Sequence, residues 1–226
     1  MTGLRGERLV AGYRRGEPVV DGIDIELRPG EVLGIAGASG CGKSTLVRVL
    51  ALLHQPWSGT VKLDGEQILG SRYQVSQRAR TRIGVVFQQP RRSVDPRLTL
   101  RELVAEPLLA SGQASTADPV AEVVTRVGLT AELLSRRPHE VSEGQLQRAC
   151  LARAMILRPR YLLCDEMTAM LDASTTASLV RVVLDYVTDT GAGALAVSHD
   201  EPLLSVWADR ISRPWGSRDI SFSIDE

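Results

Sequence analysis

The spacing of apolar residues changes several times along the chain, and each change marks an element. Residues 19–27 alternate, with Ile23, Ile25 and Leu27 separated by Asp24 and Glu26. That pattern predicts a half-buried strand, ended by Arg28, Pro29 and Gly30. Residues 8–13 and 59–65 read as further strands. Residues 31–36 and 82–87 are short unbroken apolar runs, as in strands covered on both faces. Residues 45–53 are apolar on most sides and predict a core helix. Between about 99 and 157 the period lengthens to i, i+3, i+4, predicting helices at 100–109, 119–127 and 144–157. Pro96, Gly112, Gly128 and Pro138 punctuate them. A buried strand follows at 161–166, then a helix at 174–186 with Ser174 as candidate N-cap. Strands at 192–197 and 209–211 come next, and residues 213–226 are polar and weakly patterned. No internal repeat is present. The sum is an α/β chain: a mostly parallel sheet interrupted by a helical insertion.

Chemistry enters where the run at 31–36 meets the helix at 45. Gly37, Ala38, Ser39, Gly40, Cys41, Gly42, Lys43, Ser44 and Thr45 form a G-x-x-x-x-G-K-[ST] phosphate-binding loop. Glycines let the backbone curl and aim successive N–H groups at an anion. Lys43 adds a mobile positive charge for the β- and γ-phosphates, and Ser44 offers a hydroxyl to Mg²⁺. The following helix points its positive end at the same place. A glycine-rich turn without ligand is the bland alternative; the strand–loop–helix setting favours a nucleotide.

Asp165 and Glu166 close the strand at 161–166. Beside a phosphate loop, Asp165 is placed to hold magnesium and Glu166 to polarise a water. Paired carboxylates at a strand end also serve as helix caps, and Glu166 alone does not exclude that. Gln88 and His199 each follow a strand, and ligands of open α/β sheets bind outside the carboxyl ends of the strands.

Bulk properties narrow the partners. The 226 residues suit one large α/β domain, or one domain with an inserted lobe. With 27 basic and 27 acidic residues the net charge is zero, so no nucleic-acid stripe is expected. Arg78, Arg80 and Arg82 read as a solvated helix face. No run approaches the roughly 18 apolar residues of a spanning helix. Residues 1–8 lack an apolar core, so no signal peptide is expected. Three cysteines without metal-like spacing fit reduced thiols in cytosol.

Val141-Ser142-Glu143-Gly144-Gln145, followed by Leu146-Gln147-Arg148, resembles the Leu-Ser-Gly-Gly-Gln signature of ATP-binding-cassette (ABC) ATPases. The family's other stations stand in its order. Tyr13 resembles the aromatic that stacks on adenine, Gly37–Thr45 matches Walker A, and Gln88 matches the Q-loop. Residues 161–165 match Walker B and Glu166 the catalytic glutamate. Asp172, after Met170 and Leu171, resembles the D-loop residue, and His199 the switch histidine. The segment 87–97 and Arg137-Pro138-His139-Glu140 are similar to ATPases of peptide and nickel importers, and 144–153 to the nickel-type members.

The resemblance implies a P-loop NTPase (RecA-like) core with an antiparallel β subdomain at 1–95 and 155–226, and a helical subdomain at about 96–154. It implies ATP and Mg²⁺ as ligands, with Ser44, Gln88 and Asp165 at the metal and Lys43, Gln88, Glu166 and His199 catalytic. Ser142, Gly144 and Gln145 act across an interface on the nucleotide of a second cassette, an identical chain or a paralogue. Partner permeases cross the membrane, an extracytoplasmic binding protein delivers cargo, and the chain sits on the cytoplasmic face. An exporter cassette and a soluble non-transport ABC ATPase are the alternatives; a P-loop small-molecule kinase has no need of residues 141–145. Arg91, Arg92 and Arg97 either meet the permeases or are solvated. Glu143 departs from the commoner Gly. In the first turn of a helix capped by Ser142 its charge is favoured by about 0.3–1 kcal/mol, and its side chain is expected to point away from the γ-phosphate.

Cys41 lies within the phosphate loop. A bulky thiol reagent on Cys41 should therefore block nucleotide binding, measured by fluorescent-nucleotide titration before and after labelling. Unchanged binding by the labelled protein would contradict the loop assignment.

Overall fold

The computed structural model describes residues 2–14, 16–112 and 118–216. Two sheets organise it. The first is antiparallel, in the order β2-β1-β4-β5. Its strands are β1 (Leu4–Ala11), β2 (Val20–Leu27), β4 (Ser58–Leu63) and β5 (Glu66–Ile68). The second is parallel, in the order β6-β7-β8-β3-β9. It comprises β3 (Val32–Ala36), β6 (Ile83–Val86), β7 (Tyr161–Asp165), β8 (Gly193–Ser198) and β9 (Arg210–Ser212). Every residue of β3, β7 and β8 is buried, which is why the sequence shows unbroken apolar runs there.

The described residues also contain eight α-helices, α1 (Lys43–Leu50), α2 (Gln77–Arg80), α3 (Pro90–Ser93), α4 (Leu100–Ser111), α5 (Pro119–Arg126), α6 (Glu143–Met155), α7 (Ala173–Thr190) and α8 (Glu201–Trp207), and three short 3-10 helices. Alternation along the parallel strands divides the core. Leu162, Cys164, Ala194 and Ala196 face a cluster shared with α4, α5, α6 and α7. Tyr161, Leu163, Leu195 and Leu33 face the other, shared with α1 and the antiparallel sheet. The parallel sheet is thus sandwiched, and its carboxyl ends carry Ala36, Val86, Asp165 and Ser198.

Several boundaries differ from the sequence pattern for physical reasons. The first strand begins at Leu4 rather than 8, because Leu4 pairs with both Leu27 and Leu63 at the centre of its sheet. The helix expected from Ser174 starts at Ala173. Asp172 is its cap, accepting from Thr175 N at 2.9 Å and from the Ser174 hydroxyl at 2.6 Å. A carboxylate placed one residue before the helix outcompetes a hydroxyl one residue inside it. β5, α2, α3 and α8 were not legible: each is only three to seven residues long. Of the weakly patterned tail, residues 217–226 lie outside the described residues.

One carboxylate ties the two sheets together. Asp64 sits in the turn between β4 and β5 with φ 52°. It accepts from the Tyr161 hydroxyl at 2.6 Å and from Gly3 N at 3.2 Å. It also pairs with Arg82, and with Arg160 at 3.2 Å. Its side chain is only 10% exposed. Burial, then the hydrogen bond to Asp64, pushes the Tyr161 phenol well above its ordinary range. Asp64→Ala would leave a phenol and two guanidinium groups without their common acceptor. It should cost about 2–4 kcal/mol of unfolding free energy, read from a denaturant melt. A loss under about 1 kcal/mol would mean that the cluster is effectively solvated.

Candidate functional site

The phosphate loop is shaped by its own lysine. β3 delivers the chain to Gly37 and α1 leaves from Lys43, whose side chain is 4% exposed. Lys43 Nζ donates to the carbonyls of Gly37 and Ala38, both at 2.8 Å. Gly42 adopts φ 116°, and a Cβ there would lie 2.2 Å from the Val19 carbonyl oxygen. No other residue type fits that position.

Opposite the loop, β7 ends in Asp165 and Glu166. Ser44 Oγ donates to Asp165 Oδ1 at 3.1 Å. Burial pushes the Asp165 carboxyl above its usual range, and the neighbouring Glu166 adds to this; the Ser44 hydrogen bond opposes it. Glu166 stands in the left-handed region, φ 47°, with its N–H on the Val197 carbonyl at 3.0 Å. Three expected site residues converge on its carboxylate. Gln88 Nε2 donates to Oε2 at 2.8 Å, Lys43 Nζ lies 3.4 Å from Oε1, and His199 Nδ1 lies 3.5 Å from Oε2. A strained backbone whose carboxylate has three side-chain partners is not the arrangement of an ordinary helix cap. The sheet order makes the convergence possible: β3, β8, β7 and β6 are consecutive neighbours, so the residues after their carboxyl ends meet.

Tyr13 lies just outside this cluster. Its hydroxyl takes hydrogen bonds from Arg48 Nη1 at 2.5 Å and from Thr45 Oγ1 at 3.4 Å. The ring packs obliquely on His54, with centroids 5.3 Å apart, and the residue stays 60% exposed. Cys41 is partly exposed in the loop. Burial raises the thiols of Cys150 and Cys164 to about 11 and about 12.

The signature residues lie elsewhere. Ser142 caps α6, accepting from Gln145 N at 3.2 Å, while the Gln145 side chain accepts from Ser142 N at 3.0 Å. This is the expected cap, and Glu143 is the first residue of the helix. Gly144 abuts α7: a Cβ there would lie 2.9 Å from Thr175 Cγ2. Thr175 in turn donates its hydroxyl to Asp172 at 2.6 Å, so the signature and Asp172 are neighbours. Among the described residues no hydrogen bond or ion pair joins Ser142, Gly144, Gln145 or Asp172 to Gly37–Thr45. Two of the three arginines after Gln88 are spoken for within the chain: Arg91 binds Glu143 at 2.9 Å, and Arg97 binds Asp95 at 2.7 Å.

Two further residues support the site and escaped the sequence pattern. Gln147, on α6 and 1% exposed, donates through Nε2 to the carbonyls of Phe87 at 3.2 Å and Met167 at 3.0 Å. It therefore clamps the residues beside Gln88 and Glu166. The only available signal was an amide on a helix face otherwise filled by Leu146, Cys150 and Leu151. Trp215 donates its indole N–H to the Val19 carbonyl at 3.1 Å and lies under Gly37 and Gly42. It fell in the unpatterned tail, and nothing in the sequence links it to the loop.

The model of the ABC transporter family matches residues 20–169. The oligopeptide transport ATP-binding protein OppF of Salmonella typhimurium is 36% identical over 196 residues, 85% of this chain and 59% of that protein. OppD of Mycobacterium tuberculosis is 40% identical over 222 residues, 92% of this chain and 36% of that protein. The chain thus spans about three fifths or less of these relatives. Among solved structures, the dimeric bacterial ABC transporter cassette MJ0796 superposes with a TM-score of 0.82 at 25% identity, covering 93% of this chain and 94% of that one. With two thirds of its length matched by the family model, and the loop, strand-end acids and signature standing in one fold, the chain belongs to the ABC transporter family.

Proposed function

We propose that this chain is the ATP-hydrolysing subunit of an ABC transporter, and that it energises import of peptides, nickel or a related small solute through separate permeases. The observation that carries the reading is the Glu166 carboxylate, held at once by Lys43, Gln88 and His199 beside the Ser44–Asp165 pair. The peptide-transport names of its relatives support the cargo class.

In this reading the backbone of Gly37–Thr45 and Lys43 bind the triphosphate, and Tyr13 offers its open face to adenine. The donor set fits Mg²⁺. Ser44 and Asp165 provide hard oxygens 3.1 Å apart, and Gln88 donates to Glu166, the residue after Asp165. The buried Asp165 carboxyl, raised when unaccompanied, is the kind of group that a divalent cation returns to its ionised form. When bound, Mg²⁺ neutralises charge on the β- and γ-phosphates. Glu166 accepts a hydrogen bond from the attacking water and orients it, and His199 steadies the γ-phosphate. Lys43 exchanges two carbonyls for phosphate oxygens.

The separation of Ser142, Gly144, Gln145 and Asp172 from the chain's own loop supports a half-site logic, in which they close the nucleotide of a second cassette. That cassette is an identical chain or a paralogue. No helix among the described residues is long and apolar enough to cross a membrane. A cleft of about 300 Å³ beside β6, lined by Gln77, Arg80, Phe87, Pro107, Arg153 and Leu157, borders the Gln88 segment. In this reading permeases dock there, the chain lies on the cytoplasmic face, and an extracytoplasmic binding protein delivers cargo.

Glu166→Gln keeps the size of the side chain and removes its basicity. Turnover should fall by about 10²–10⁴-fold while ATP affinity stays within about threefold, and the ATP-bound pair of cassettes should persist. Steady-state phosphate release and sedimentation with ATP read both effects. Wild-type turnover in this variant would remove Glu166 from the mechanism.

A further inference from the structure

Arg91 is the second residue of α3, three positions beyond Gln88. Its guanidinium reaches across to the turn that leads into α6. Nη1 donates to the Pro138 carbonyl at 2.5 Å, Nη2 to the Val141 carbonyl at 2.9 Å, and Nε to the Glu143 carboxylate at 2.9 Å. One side chain thus directs three bonds onto residues 138–143, on both sides of Ser142. Lysine, with a single point charge, does not reproduce that fork. Glu143 is also the position at which this signature carries an acid in place of the commoner Gly, and Arg91 is the group that meets it. The two side chains are 45% and 42% exposed, so the pair contributes little to stability by itself. Its effect is on geometry and on local charge.

We propose that Arg91 is a positioning residue for the signature turn and Glu143 its counter-ion, so that the cassette presents Ser142 and Gly144 to its partner's nucleotide with the extra acid already neutralised. The proposal rests on the reading that the signature acts on the nucleotide of a second cassette. Without Arg91 an uncompensated carboxylate would stand next to Ser142, raising the negative charge around a triphosphate of the same sign. The turn would also lose two backbone anchors. Because α3 follows Gln88 directly, the link further ties the signature turn to the Q-loop segment of the same chain.

The test uses the assembled transporter and four forms of this chain: parent, Arg91→Ala, Glu143→Gly and the double variant. Arg91→Ala should lower maximal ATPase turnover about tenfold, with ATP binding to the isolated chain within about twofold of parent and an unchanged melting temperature. Adding Glu143→Gly should restore at least about threefold of that loss, since the acid left unpaired is removed with it. Arg91→Lys should remain impaired. Turnover in Arg91→Ala within about twofold of parent, or a double variant no better than Arg91→Ala, would overturn the proposal. Ser142→Arg in the same complex separates this from the underlying reading. If that variant turns over like parent, the signature does not act on a nucleotide, and both fall. If it is dead while Arg91→Ala is active, only the role of Arg91 falls.

Discussion

The structure depends on a buried ammonium group. Lys43 is 4% exposed, and a cation so placed must be matched by acceptors. Two carbonyls of its own loop and the Glu166 carboxylate supply the match. Meeting that requirement ties the loop carbonyls of Gly37 and Ala38 to the lysine six and five residues on and brings it to the Glu166 carboxylate beyond β7. The same arrangement leaves every partner of Lys43 exchangeable for phosphate oxygen. The constraint that closes the loop on itself therefore also prepares it for a nucleotide.

Sheet order distributes the remaining chemistry. Because β6, β7, β8 and β3 are adjacent and parallel, Gln88, Asp165, Glu166, His199 and the phosphate loop all emerge at one edge. Gln147 then couples that edge to α6 by holding the carbonyls next to Gln88 and Glu166 from within the core. α6 begins at the signature and packs on α7 through Gly144 and Thr175. The helical part is accordingly joined to the catalytic edge by polar side chains of defined geometry, Gln147 and Arg91, as well as by apolar packing. Displacement of the signature would be felt at the backbone beside Gln88 and Glu166.

Much of this was legible in the sequence, for reasons that differ by residue. Strands covered on both faces write unbroken apolar runs, so β3, β6, β7 and β8 were visible together with the residues that follow them. Motifs that bind phosphate fix their residues by backbone geometry, which made Gly37, Gly42, Lys43 and Ser44 readable without a structure. The capping role of Ser142 was readable because a cap is local. What escaped was either short or non-local. β5, α2, α3 and α8 offer too few residues for a period to show. The contacts of Asp64, Gln147 and Trp215 join positions 18 to 196 residues apart, and no local pattern records them. Arg91 was left between a permease contact and a solvated loop because its acceptors within the chain lie about fifty positions downstream.

The central claim is that this chain carries two complementary halves of a nucleotide site which it cannot join by itself. The most direct measurement is a crystal structure of the chain in its assembled complex with Mg²⁺ and a non-hydrolysable ATP analogue. The account predicts the triphosphate on Gly37–Thr45, with Lys43 turned from the loop carbonyls onto phosphate oxygens, and with Ser142 and Gly144 of a second cassette closing the γ-phosphate. A nucleotide held by the Lys43 loop alone, or closed by the same chain's own signature, would contradict it.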